Sequence, residues 1–576
     1  MHSVRSARGF SFLAKQKLQN KGNKTSRRLA SHSARSAHLA HSAPAKKLGF
    51  SGKVLLALVA CVFIALFFAA ALSLFDDTVK TGLCLLDLFL AGVAFHKLTG
   101  VESYYGLLLL KSKAGFALMK SIARRFETQC VWLADWGLAI GFGLPYAWFC
   151  RRKQKRSVKS FAWQAVAAAA FSVVIFSSQA GAAGSGLLLF AVTLASGLFG
   201  FAFYFLAEHA WKILTVAQTP PGVIPVVPGV TIPIEAIVAV AIIMVVHEVA
   251  HGVMFEIARL RLKSSGVLLF GWMPIGAFVE PDEDAFKSLR LREKRRALVA
   301  GSTSNALFFL VFLALWLTAS FASQSLIAGV AVSDSRYPQL LPDGATIAFV
   351  NGVAVRSSSD VNSVFISSAA ACASCAGESI ELRTKSGERV FVPPTALAVK
   401  EVKAGAPAQG VLNVGEVIYS IDGATVSSIS ELKAALSSRK PGELITLETS
   451  AGGKKLVLGS SDASASSNAG SGVGVIGAVF SQERAFAARN VPAPGAEFVF
   501  ALASLLVVIL YWTFVLNLIL AAINLLPVFI TDGQRIFYEE FCAVLGKKKG
   551  ALASIAVGVI TLALFVVNAL PWLWFS

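Results

Sequence analysis

Uncharged apolar runs at or beyond bilayer-crossing length recur through this chain, and they restrict its fold more than any other feature. Residues 54–75, 297–333, 498–531 and 550–576 form four such runs, and 130–150, 161–182 and 184–207 are further candidates. Two weaker stretches, 81–97 and 105–120, are interrupted by Asp87, His96, Lys111 and Lys113. About 20 apolar residues suffice to cross hydrocarbon as a helix. Inside a bilayer every backbone polar group must be satisfied internally, which leaves helices or closed barrels. Hydrophobic residues make up 55% of the chain and charged residues 15%, and the mean hydropathy is +0.65, unlike a soluble globular protein. The expected fold is an α-helical multi-pass membrane protein.

One apolar run carries chemistry. Ile237 to Val246 is uninterrupted aliphatic sequence with one Met, and it leads directly into His247-Glu248-Val249-Ala250-His251. On a helix, His at i and i+4 stand one turn apart on one face. That is the spacing of two zinc ligands, with Glu248 beside them as a candidate general base. Two hydrogen-bonded core histidines are the bland alternative, but the flanks supply few polar partners and ionisable groups in hydrocarbon are costly.

Zinc needs a third protein ligand and an open position. Asp532 is the first charge after the run that starts at Phe498, within Asn524-Leu525-Leu526-Pro527-Val528-Phe529-Ile530-Thr531-Asp532-Gly533. Pro527 and Gly533 break the helix there, and broken helices occur at membrane depth where they are buried in protein or line a cavity. An interfacial Asp opening a cytosolic helix is the alternative. From His251 to Arg259 is roughly 12 Å along a helix, so the expected site lies below the lipid surface on the side of that basic cluster.

Charge suggests orientation. Arg259-Leu260-Arg261-Leu262-Lys263, the cluster from Lys287 to Arg296, and Lys547-Lys548-Lys549 can all face the cytosol together. The soluble block 324–496 then lies outside. Six candidate spans precede the HExxH helix, whereas a cytosolic N-terminus and an inward-running helix require an odd number, so the topology of residues 80–210 stays open. Residues 1–50 hold eleven Lys or Arg and no acid. They read as a solvated tail touching anionic lipid or as an organellar transit peptide. Nucleic-acid binding is not expected, because interleaved aromatics are missing. Cys372 and Cys375 form one CxxC without a second pair, so a local disulfide or two free thiols is the reading and no site is assigned.

The block from 326 to 460 repeats internally. Gly344 to Gly352 matches Gly415 to Gly423, and Asp360 and Glu431 follow the second glycine at equal distance. Each copy reads as strand, Asn-Gly or Asp-Gly turn, short strand and helix. This resembles the PDZ fold, with 326–396 a degenerate copy and 397–460 a better one. The expected fold class is thus completed by an inserted extracytoplasmic α+β region of two PDZ-like modules, which would bind an extended peptide or a C-terminus by strand addition. The remaining boundaries are 51–210 for N-terminal transmembrane helices, 230–323 for a first core half, 461–496 for a linker and 497–576 for a second core half. Residues 264–280, apolar but punctuated by Gly266, Gly271 and Gly276, read as a membrane-dipping hairpin with an open edge, or else as a short interfacial helix.

The HEVAHG helix, Gly301-Ser302-Thr303-Ser304-Asn305 and the Asn524–Gly533 segment together resemble the site-2 protease family of intramembrane zinc metalloproteases, over about 230–576. Ser302 stands where many members have Pro. The resemblance implies one Zn2+ per chain held by His247, His251 and Asp532, with Glu248 as base. It implies that Asn305 and Asn524 hold substrate backbone, and that the hairpin with Gly276, Ala277 and Phe278 offers an edge to unwound substrate. Substrates would be transmembrane proteins already cut outside, in a prokaryotic plasma membrane or an organellar one. A catalytically idle membrane-protein binder and an ion-coupled transporter are the competing readings.

Overall fold

The computed structural model describes residues 49–73, 77–104, 106–152, 158–177, 183–216, 219–371, 379–460, 474–529 and 531–573. The basic tail up to residue 48, Cys372 and Cys375, and 461–473 of the expected linker lie outside the described residues. The chain forms two compact units, one of Met1–Leu313 with Ile509–Ser576 and one of Ala314–Val508.

The first unit opens with helices α1 (Phe50–Ala71) and α2 (Asp77–Thr99), strands β1 (Ser103–Tyr104) and β2 (Leu107–Ser112), and helices α3 (Phe116–Arg125), α4 (Glu127–Arg152), α5 (Val158–Ser177) and α6 (Ala183–Thr215). The HExxH helix follows as α7 (Ala236–Ile257), then β3 (Leu262–Phe270), β4 (Met273–Pro281), α8 (Glu283–Ser288) and α9 (Leu291–Gln324), which runs on past the unit boundary. The 264–280 segment is indeed a hairpin rather than a helix, with Gly266 opposite Phe278 and Leu268 opposite Gly276. It is not alone: β2 pairs antiparallel along β3, giving a sheet of order β1-β2-β3-β4. The stretch 105–120 is therefore no span. Lys111 and Lys113 interrupt its apolar run, and Gly115 at φ 82° separates β2 from α3.

Two further expectations change. The 130–150 run is helical but broken at Gly143 (φ 80°), and α6 is broken at Gly197 (φ 67°). A Cβ at Gly143 would stand 2.2 Å from the Ala195 carbonyl oxygen, and one at Gly197 would stand 2.4 Å from the Gly141 backbone. The two helices thus approach each other at their breaks, where a side chain would not fit. The 297–333 run does not continue as helix to its end. After Gln324 the chain turns into strand β5 (Ile327–Ser335), because a short apolar run rich in Val, Ile, Ala and Gly fits a strand as well as a helix.

In the second unit β5 is followed by β6 (Thr346–Val350), β7 (Val353–Ala354), α10 (Ser358–Ala371), β8 (Ile380–Thr384) and β9 (Arg389–Val392). Then come β10 (Thr395–Val402), β11 (Val417–Ile421), β12 (Ala424–Thr425), α11 (Ile429–Leu436), β13 (Leu444–Thr449), β14 (Gly452–Val457), β15 (Gly459–Ser460), β16 (Gly474–Val475), β17 (Ala478–Arg484) and β18 (Phe486–Pro492). One sheet has the order β18-β5-β6-β8-β9 and the other β14-β13-β11-β10-β17. The repeat is visible in detail. Asn351 (φ 48°) and Asp422 (φ 49°) open equivalent hairpin turns. Asp360 accepts from the Arg356 N–H, and Glu431 accepts from the Ser427 N–H at the matching place. The expected linker 461–496 is corrected for its second half: β17 and β18 close the two sheets against β10 and β5. Ser, Ala and Gly dominate only as far as about residue 475, and pairing-competent sequence with Val479, Phe480 and Phe486 resumes beyond it.

The chain re-enters the first unit through α12 (Glu497–Ile523), followed by α13 (Asp532–Leu545) and α14 (Lys547–Ala569). Among the described residues seven helices are long and apolar enough to cross a membrane by length and composition: α1, α2, the 190–215 part of α6, α7, α9, α12 and the Lys547–Trp572 stretch that contains α14. Three of them precede α7.

The basic residues at the start of α9 are not a solvated loop. Lys294 pairs with Glu539 at 3.0 Å, Arg295 pairs with Glu540, and Arg296 pairs with Asp135 of α4 through two hydrogen bonds, that from Nε at 2.7 Å. All three cations are buried. These pairs tie α9 to α13 and α4, two turns below the metal-ligand candidates.

Candidate metal centre

The helical repeat puts the rings of His247 and His251 on one side of α7, both buried. Asp532 reaches them from the first turn of α13, where a carboxylate suits the positive end of the helix dipole. Local chemistry builds that turn. α12 ends at Ile523, and Thr531 caps α13 by accepting from the Gln534 N–H at 3.3 Å. The Gly533 N–H donates to the Asn524 carbonyl at 2.7 Å.

His251 Nε2 lies 3.0 Å from Asp532 Oδ2, His247 Nε2 lies 3.2 Å from the same oxygen, and the two Nε2 atoms are 3.1 Å apart. His251 Nδ1 is 2.8 Å from the Ala297 carbonyl oxygen, so Nδ1–H donates there and Nε2 keeps its lone pair. Three electron-pair donors converging at these distances repel one another unless a cation lies among them. Neighbouring ligands of a tetrahedral zinc stand roughly 3.3 Å apart, given bonds of roughly 2.0–2.1 Å. The donor set of two imidazoles and a carboxylate therefore fits Zn2+ in both chemistry and spacing. His247 Nδ1 is buried and has no hydrogen-bond partner among the described residues, and Asn524 Nδ2 lies 3.3 Å from His247 Nε2.

The cluster opens onto a cavity of about 380 Å³. Its wall includes Glu248, Asn524, and Gly276, Ala277 and Phe278 of β4. β4 is the last strand of its sheet, so its outer edge faces no further strand among the described residues. Of the expected site residues only Asn305 is not in this wall. It is fully buried one turn along α9 from Gly301, and neither amide atom has a partner among the described residues.

Two residues at the centre are not among the expected site residues. A Cβ at Gly301 would stand 2.4 Å from both His247 Nε2 and His251 Nε2, so this glycine lets α9 close over the rings. Its signal is its place at the head of the small-residue motif that ends in Asn305, inside a long apolar helix. Arg535 lines the cavity and lies 4.9 Å from the centre of the Phe286 ring, and nothing in its sequence context marks it.

The model of peptidase family M50 matches residues 235–568, more than half of the chain. An uncharacterized protein of Methanocaldococcus jannaschii is 34% identical over 140 residues. That match covers 24% of this chain and 35% of the relative, so the aligned part spans about a third of the relative's length.

Proposed function

The chain belongs to peptidase family M50, a family of zinc metalloproteases of membranes, and from that premise we propose that it is an intramembrane endopeptidase hydrolysing peptide bonds within transmembrane segments. The observation that carries this reading is the convergence of His247, His251 and Asp532 in one cavity with Glu248 and the free edge of β4. Zinc, when bound by these three side chains, polarises the scissile carbonyl and acidifies water. Glu248 takes the proton of the attacking water on its carboxylate and passes it to the leaving amide nitrogen. Asn524 steadies the substrate backbone or the His247 ring.

A substrate helix has its amides engaged internally and must unwind to be cut. The edge of β4 offers new main-chain partners through Gly276, Ala277 and Phe278, so a substrate strand added there lies beside Glu248. Substrates are single-span membrane proteins already cut outside the membrane. The two repeated modules act as PDZ-like receptors for an extended peptide or new C-terminus, and so filter out intact substrates.

Glu248→Gln is the test. The purified variant should keep about one zinc per chain and lose cleavage of a model transmembrane peptide by two orders of magnitude or more, the range of general-base catalysis. Cleavage at the wild-type rate would remove the mechanism and favour an idle or transporting homologue.

A further inference from the structure

The short helix α3 separates two cavities lined by none of the proposed catalytic or metal-binding residues. On one face, Leu118 and Ile122 help line an apolar cavity of about 340 Å³ against Val249 and Val253 of α7 and Leu307 of α9. On the other, Lys120 and Arg124 line a cavity of about 580 Å³ together with Arg259 and Arg261, just past the end of α7. Helical geometry accounts for the split: the 118/122 pair and the 120/124 pair lie about 160° apart around the axis. Between them Met119 and Ala123 are buried, with Met119 against Gly252, the residue after His251. Ser265 of β3 donates to the Ala114 carbonyl at 2.8 Å, which ties the start of α3 to the sheet.

The charge in the second cavity is unbalanced. Four basic side chains face two acids, Glu127 and Glu256, and no ion pair involving any of the four is found among the described residues. All four are exposed. Arg259 occupies the position just past the helix end at φ 59°, a left-handed conformation that helices commonly give to glycine. A cation there also complements the helix dipole, so Arg259 alone carries nothing; the convergence of four cations does. An amphipathic helix with a greasy cavity on one face and a basic one on the other, at the end of a spanning helix, has the layout of an element at headgroup depth.

We propose that α3 is an interfacial lipid-binding helix. The basic cavity takes the phosphate headgroup of an anionic glycerophospholipid, and the apolar cavity takes an acyl chain from the same leaflet. Anionic phospholipid is favoured over a soluble phosphate because the same short helix carries an apolar cavity on its other face, and over a zwitterionic lipid because the cations outnumber the acids. The inference does not depend on the proteolytic reading.

Native mass spectrometry of the full chain, released from detergent with phosphatidylglycerol or phosphatidylcholine, tests it. Each basic residue near an anionic surface contributes roughly fivefold, so the wild type should retain phosphatidylglycerol at least about tenfold more strongly. The variant K120Q/R124Q/R259Q/R261Q should lose that preference while keeping its melting temperature and metal content. Equal retention of both lipids by the wild type, an unchanged preference in the variant, or displacement of phosphatidylglycerol by inorganic phosphate would each overturn the proposal. Should the fourfold variant not fold, salt decides on the wild type alone. At about 1 M salt, where the screening length is roughly 3 Å, the preference should collapse, and its persistence would overturn the proposal.

Discussion

Gly301 lies against His247 so closely that a Cβ on it would stand 2.4 Å from the ring nitrogen offered to the metal. His251 Nε2 is equally near, so one methyl group would meet both ligands. The rings are buried and held by α7, and His251 is further fixed by Ala297. They cannot yield without leaving Asp532. Gly301→Ala is therefore expected to reduce bound zinc from about one per chain to a small fraction and to lower cleavage in parallel. Metal analysis of the folded variant checks this, and full zinc occupancy would show that the helices can part at no cost to the site.

The histidines and Asp532 were legible because each is marked locally. The first two have a fixed spacing in an apolar run, and the third is the first charge after thirty-odd uncharged residues. Gly301 heads a small-residue motif, but its closeness to the two rings is not legible there, because it arises from the approach of two helices and not from its own neighbours in sequence. The same holds for β2. Its pairing of Leu107 with Phe270 joins segments far apart in the chain, and Lys111 and Lys113 made the stretch look like a failed span. The motif that Asn305 ends implies a cleft residue, yet the cavity wall does not include it.

Metal removal should register in stability as well as activity. Among the described residues Asp532 pairs with no Lys or Arg, so a divalent cation is the natural neutraliser of the repulsion among His247 Nε2, His251 Nε2 and Asp532 Oδ2. A ligand present at about a thousandfold above its Kd stabilises the folded state by about 4 kcal/mol. Chelation should lower the wild-type melting temperature by several degrees, with zinc restoring it, and should leave His251→Ala unmoved. Equal shifts in both proteins would mean that the stabilising metal sits elsewhere.

The buried pair of Arg296 and Asp135 joins α9 to a helix outside the family match. Breaking such a pair strands a charge in a poorly solvated interior, at a cost of about 3–5 kcal/mol, whereas replacing both partners with apolar residues is often close to neutral. Asp135→Asn should therefore destabilise the protein strongly, and D135L/R296M should recover most of the loss. Thermal unfolding in detergent compares the three. A double variant as unstable as the single one would show that the pair orients α4 and does more than satisfy a buried charge. That outcome would make the N-terminal helices part of the catalytic scaffold.

In the second unit Glu416 gives a pH signature. Burial pushes its carboxyl up, but hydrogen bonds from Lys454 at 2.7 Å, from Thr449 and from the Asn413 N–H at 3.0 Å outweigh this and hold it below the ordinary glutamate value. The folded state therefore binds this proton less readily than the unfolded chain. The stabilisation is complete above the ordinary value of roughly 4.3 and is lost as pH falls through the lower folded value. Glu416→Gln removes the titrating group together with its pairing to Lys454. Hydrogen exchange in β11, β13 and β14 of the full chain should show wild-type protection falling with acidification below about pH 4 relative to the variant, whose protection is lower but flatter. Parallel profiles for the two proteins would mean that the Lys454 contact does not hold the second sheet together.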